Sequence, residues 1–118
     1  MVPKVDTGAI ISVKRFAVSH DDTVYSLTEK SYERIDQLFR ELLPCLMSRV
    51  PLPESTDRWA RRPFTRAELN ALCRITPDMS PVEIERRIRA VTFPGAPGAY
   101  VEIIGRRFVL EPAAANTD

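Results

Sequence analysis

An α/β chain is what this sequence predicts, on three observations. A β-branched stretch lies near its start, a long amphipathic helical stretch follows, and a paired-strand pattern lies near its end. The 118 residues, 44% apolar and 28% charged, suit one globular domain or part of one. Seventeen basic residues against sixteen acidic ones leave a formal charge of +1, which is not the basic footprint that nucleic-acid binding needs.

The elements follow in order. From residue 9 to 18 the chain is mostly apolar or β-branched, through Ile10, Ile11, Val13, Phe16 and Val18. Alternation at Ile11 and Val13 shifts phase at Phe16 and Val18, as in a bulged strand or two angled segments. Asp22 or Thr23 can then cap a helix. Leu27, Ile35, Leu38, Leu42 and Leu46, joined by Phe39, Leu43 and Met47, recur at three- and four-residue steps as one apolar face. Lys30, Glu33, Arg34, Gln37 and Arg40 lie off it, and Pro44 predicts a kink or an early stop. A face this wide needs a sheet to cover it, and the strand material is thin for that purpose.

"VPLPESTDRWARRPF" (50–64) is punctuated by proline and reads as a connector. Thr65 and Glu68 form a T-x-x-E capping box that predicts a helix over 66–73. Ser80, Pro81 and Glu83 predict another, with Ser80 as the cap, Pro81 at the first helical position and Glu83 reaching back. Met79 and Ile84 have the spacing of a hydrophobic staple, and Ile84, Ile88 and Val91 continue a buried stripe. "AYVEIIGRRFVL" reads as a hairpin turning around Gly105-Arg106. The organisation expected is 1–50, a connector over 51–64, a helix-and-hairpin region over 65–112, and a disordered tail over 113–118.

Few residues offer chemistry. Asp6 in "VDTGAII" is a carboxylate at the start of a strand-like stretch, with Gly8 permitting close backbone approach. On the motif alone, a turn that satisfies local amides is the commoner meaning of a D-x-G pattern. The single histidine, His20 in "SHDDT", stands at the start of a helix, where an exposed histidine is ordinary. No Ser-His-Asp set, phosphate loop or H-E-x-x-H can be assembled, and no metal site is expected. Cys45 and Cys73 are not in a C-x-x-C pair and read as reduced thiols. Arg61, Arg62, Arg66, Arg86, Arg87 and Arg89 stand among acids, so solvated faces and local ion pairs account for them. No apolar run has the length of a signal peptide or a membrane span, which predicts a soluble cytoplasmic chain without membrane contact.

Two longer segments carry a resemblance. "VDTGAIISVKRFAVSHDDTVYSLTEK" resembles the second half of the catalytic domain of folate-dependent formyltransferases, where a D-x-G-x-I stretch precedes a strand and a D-T-x-x-x-L helix start. "MSPVEIERRIRAVTFPGAPGAYVEIIGRRFVL" resembles the segment after that domain: a helix ending in I-R-A, an F-P-x-x-P/G-A-Y loop and a strand pair. The likeness runs over about residues 5–110 in order and spacing, and its tail is more similar to amino-sugar N-formyltransferases than to methionyl-tRNA formyltransferase.

The resemblance implies the C-terminal part of a Rossmann-like formyltransferase domain, strand plus long helix, followed by short helices and a β-hairpin. It implies transfer of a formyl group from 10-formyltetrahydrofolate to a primary amine, with a nucleotide-linked amino sugar as the small-molecule acceptor. In that family an Asn-x-His pair stabilises the oxyanion, and an aspartate tunes the histidine and helps take a proton. The aspartate matches Asp6, and the folate-contacting loop before it matches Val5 and Asp6. This sequence contains no Asn-x-His, and His20 lies on the wrong side of Asp6 to substitute. A fragment is therefore expected, by natural truncation, a displaced start or excision, inactive alone and completed by an N-terminal half or by a homodimer. The alternatives are a non-catalytic interaction or dimerisation module, a methionyl-tRNA formyltransferase-like fragment and, last, a small nucleic-acid binder using the six arginines.

Overall fold

The architecture comes from a computed structural model, which describes Lys4 and residues 6–113. Three helices, α1 (Val24–Ser48), α2 (Arg66–Cys73) and α3 (Pro81–Val91), precede a hairpin of β1 (Ala99–Ile103) and β2 (Arg106–Leu110). The predicted disordered tail over 113–118 lies, apart from Ala113, outside the described residues. The chain divides into two compact units, Met1–Ala17 with Thr28–Pro63, and Val18–Leu27 with Phe64–Asp118. The division falls within α1.

In the first unit, residues 10–16 alternate strictly. Ile10, Ser12, Lys14 and Phe16 are half-buried, while Ile11, Val13 and Arg15 are exposed. This is the exposure pattern of a strand, without the expected phase shift. No strand ladder forms on it among the described residues, so the predicted strand is present as extended chain only. Lys14 pairs with Glu41 and ties the stretch to α1.

Helix α1 runs through Pro44 to Ser48, past the predicted kink or stop. A left-handed residue closes it instead. Arg49 has φ 54°, and the Val50 amide donates to the Cys45 carbonyl at 3.2 Å, the six-to-one bond of a Schellman end. Of the predicted apolar face, Leu38 and Leu42 are half-buried with Cys45, whereas Ile35, Phe39, Leu43, Leu46 and Met47 are exposed. At 100° per residue the apolar arc is about half a turn wide, and only one side of it is covered.

The second unit holds the core. Thr23 is the N-cap of α1: its Oγ1 accepts from the Ser26 amide at 3.2 Å, and its own amide donates to Ser26 Oγ at 3.0 Å. The Thr65–Glu68 box caps α2 as predicted. Ser80 caps α3 with Pro81 in its first turn, but the Glu83 carboxylate turns to Arg86 and Arg87 rather than back to Ser80. Ile75, Ile88, Val91 and Ala99 are the buried apolar residues among those described, with Met79, Ile84, Val101 and Leu110 packed against them. The Ile75 amide donates to the Tyr100 carbonyl at 2.9 Å, joining the end of α2 to β1. In the hairpin, Ile103 pairs with Arg106, so the turn is Ile104-Gly105 and not Gly105-Arg106.

Candidate active site

Asp6 occupies a turn in the left-handed region, φ 52°, which aspartate adopts more readily than most residues. Its side chain is exposed and has no hydrogen-bond partner among the described residues, so it satisfies no local amide there. The strand-like stretch at whose start it was expected joins no sheet among the described residues: the sheet they form is the β1–β2 hairpin. Val5, the other predicted folate-side residue, lies outside the described residues.

The segment after Asp6 is held by the connector, a pairing that sequence reasoning missed. Trp59 Nε1 donates to the Gly8 carbonyl at 2.8 Å, and the Ser55 amide donates to the Ile10 carbonyl at 2.7 Å. Asp57 reinforces the second clamp. Its carboxylate accepts from Arg15 at 2.8 Å and from Ser55 Oγ at 2.7 Å. The Arg15 hydrogen bond, then that of Ser55, holds the Asp57 carboxyl below the usual carboxylate range. Arg58 donates to the Ser55 and Asp57 carbonyls at 2.9 Å each, which fixes the connector's own bend. Thr7, Gly8 and Ala9 face Glu54, Arg58 and Trp59 across a cavity of about 370 Å³. An apolar indole, one cation and one carboxylate around backbone edges form a mixed wall suited to a polar small molecule.

The other expectations fall elsewhere. His20 is exposed and lines a cavity of about 400 Å³ in the second unit, with Arg86 and Arg89. Arg86 and Arg87 share Glu83, the local ion pairing expected of them, and the Arg87 hydrogen bond, with Arg86 adding to it, holds the Glu83 carboxyl below the usual carboxylate range. A third cavity, about 540 Å³, lies along α2 beside Phe64, Leu69 and Leu72. Cys45 and Cys73 are free thiols. Among the described residues no group of His, Cys, Asp or Glu is placed to hold a metal ion, and no helix is long and apolar enough to cross a membrane.

Comparison with known proteins adds one relative in sequence and two neighbours in fold. No protein-family model matches the chain. Methionyl-tRNA formyltransferase of Myxococcus xanthus (strain DK1622) is 31% identical over 114 residues, which cover 95% of this chain and 35% of that protein. A 4-N formyltransferase from Francisella tularensis superposes with a TM-score of 0.81 at 18% identity, over 98% of this chain and 49% of that one. A sugar N-formyltransferase from Shewanella sp FDAARGOS_354 superposes with a TM-score of 0.80 at 19% identity, over 100% of this chain and 49% of that one. The two superpositions establish the fold. The chain spans about a third of the curated relative (35%) and about half of each solved structure (49%).

Proposed function

Because the chain belongs to the formyltransferase family, we propose that it supplies the acceptor side of an enzyme that formylates a primary amine, with 10-formyltetrahydrofolate as donor and a nucleotide-linked amino sugar as acceptor. One observation carries this reading. The segment after Asp6 is clamped at Gly8 and Ile10, at 2.8 Å and 2.7 Å, and Thr7, Gly8 and Ala9 line a small-molecule-sized cavity next to it in sequence. The exposed Asp6 carboxylate is the proton-handling group of the site. It orients the histidine of an Asn-x-His pair and accepts the proton that leaves the amine as the new C–N bond forms, while the formyl C–N10 bond of the donor breaks and N10 of the released tetrahydrofolate takes up a proton. Trp59 and Arg58 position the acceptor. The likeness to the sugar N-formyltransferase structure from Shewanella supports the sugar assignment.

In this reading Asp6 is the one group that the described residues contribute to the donor side. The remaining donor pocket and the sheet covering the exposed side of α1 belong, in this reading, to the other half of the fold that the solved relatives carry. The assembled enzyme works in the cytoplasm, free of membrane and nucleic acid. A second reading, a methionyl-tRNA acceptor, has one observation in its favour: the name of the Myxococcus xanthus relative.

A graft separates the two. Residues 5–110 replace the matching segment of the Myxococcus xanthus enzyme, and formyl transfer is measured to a nucleotide-linked amino sugar and to methionyl-tRNA. The sugar reading expects this chain's segment to raise the rate with the sugar relative to tRNA. An unchanged preference for methionyl-tRNA contradicts it. The 118-residue chain alone is expected to show no turnover with either acceptor, because its one histidine, His20, is in no Asn-x-His pair.

A further inference from the structure

One edge of the hairpin is closed and the other is open. The Ile75 amide donates to the Tyr100 carbonyl at 2.9 Å, and Arg74 and Tyr100 form a parallel bridge beside β1. Tyr100 therefore turns its backbone polar groups away from β2, and its cross-strand partner Val109 turns its own the other way. By the alternation of an antiparallel pair, the backbone of Arg107 faces the same way as that of Val109. No segment among the described residues pairs with this side of β2. Phe108 and Val109 are exposed along it. Unpaired amides and carbonyls beside apolar side chains are a template for another strand.

The residues along the edge indicate which strand. A second copy of β2, running antiparallel across a two-fold axis, sets outward-facing residues opposite one another, and the registers differ in charge. Centred on Arg107, the pairing places two guanidinium groups opposite each other, which is destabilising. Centred on Phe108, it sets Arg107 opposite Val109 and gains no charge pair. Centred on Val109, and continued one residue past the strand, it sets each Arg107 opposite the partner's Glu111 and each Phe108 opposite the partner's Leu110. Both charges are available. Glu111 is exposed with no partner among the described residues, and Arg107 reaches its own Glu102 only at 4.0 Å.

We propose that the chain self-associates through this edge, as a two-fold dimer whose β2 strands pair antiparallel about Val109 and join two hairpins into one continuous sheet. The same patch serves both copies, as a two-fold contact requires. The contact is independent of formyl transfer, so the failure of either proposal leaves the other standing.

The experiment is sedimentation equilibrium of the 118-residue chain over a range of loading concentrations. The expected result is a monomer–dimer equilibrium. Val109→Pro removes an amide that the hairpin's own ladder does not use, and weakens the dimer about tenfold or more. Glu111→Arg sets like charges across the edge and weakens it about tenfold. Arg107→Glu combined with Glu111→Arg exchanges the charges and restores most of the association, which a merely apolar contact would not do. Phe39→Glu, on the exposed side of α1, leaves it unchanged. Should Val109→Pro lose its native circular dichroism spectrum, Glu111→Arg, which lies beyond the ladder, carries the same expectation. A chain that is monomeric at every concentration, a dimer lost with Phe39→Glu but kept in the edge variants, or an exchanged double variant no stronger than Glu111→Arg alone would each overturn the proposal.

Discussion

Asp57 is the ionisable residue on which the clamp beside the candidate site depends. Its carboxyl is held below the ordinary value by Arg15 and Ser55, and that of Glu83 by Arg87 and Arg86. A carboxyl whose pKa is lower folded than unfolded stabilises the fold above the unfolded value and loses that contribution as pH falls through the folded one. Denaturant unfolding should therefore give a level midpoint from neutral pH down to about 5, then a decline through and below the usual carboxylate range. Arg15→Met should make that decline shallower; an unchanged acid limb means the Asp57 pair contributes nothing. Asp6 was legible as a candidate, not as a catalytic group, because D-T-G stands beside a β-branched stretch. Its clamps were not, because Gly8 and Trp59 are 51 residues apart and no periodicity marks their meeting.

At the scale of elements, the helix starts were legible from their capping residues. Thr65 with Glu68 and Ser80 with Pro81 satisfy amides that a helix start leaves open. Ser80→Ala should cost about 1 kcal/mol of unfolding free energy, read from denaturant midpoints. The end of α1 was not legible. The residue at its left-handed position is Arg49, where glycine is the usual signal, and Pro44 suggested an earlier stop. The hairpin turn misled in the same way, since Ile104 holds φ 52° while 95% exposed. A β-branched residue there is strained without gaining burial. Arg49→Gly and Ile104→Asn should each stabilise the chain, by about 1 kcal/mol for Ile104→Asn, which gives the Asn-Gly pair this turn prefers. A fall in the unfolding midpoint would show that the native residues make contacts outweighing the backbone cost.

At the scale of the whole molecule, α1 states the central point. Its apolar arc was read from spacing alone, and so was the shortage of sheet to cover it. The structure leaves Ile35 58%, Phe39 56% and Met47 76% exposed, with no residue of the helix buried. What sequence reasoning had no means to supply is the strand ladder for residues 10–16, because a ladder belongs to two segments and the described chain contains one of them. In the proposed reading the chain contributes one half of a two-part site, and Asp6 is its chemical contribution. The most direct measurement is the formyl-transfer rate of the grafted enzyme with and without Asp6→Asn, beside Asp57→Asn as a clamp variant. The expected result is a loss of about a hundredfold or more for Asp6→Asn with the melting temperature unchanged, and a smaller loss for Asp57→Asn. A grafted enzyme that keeps its full rate with asparagine at position 6 contradicts the account.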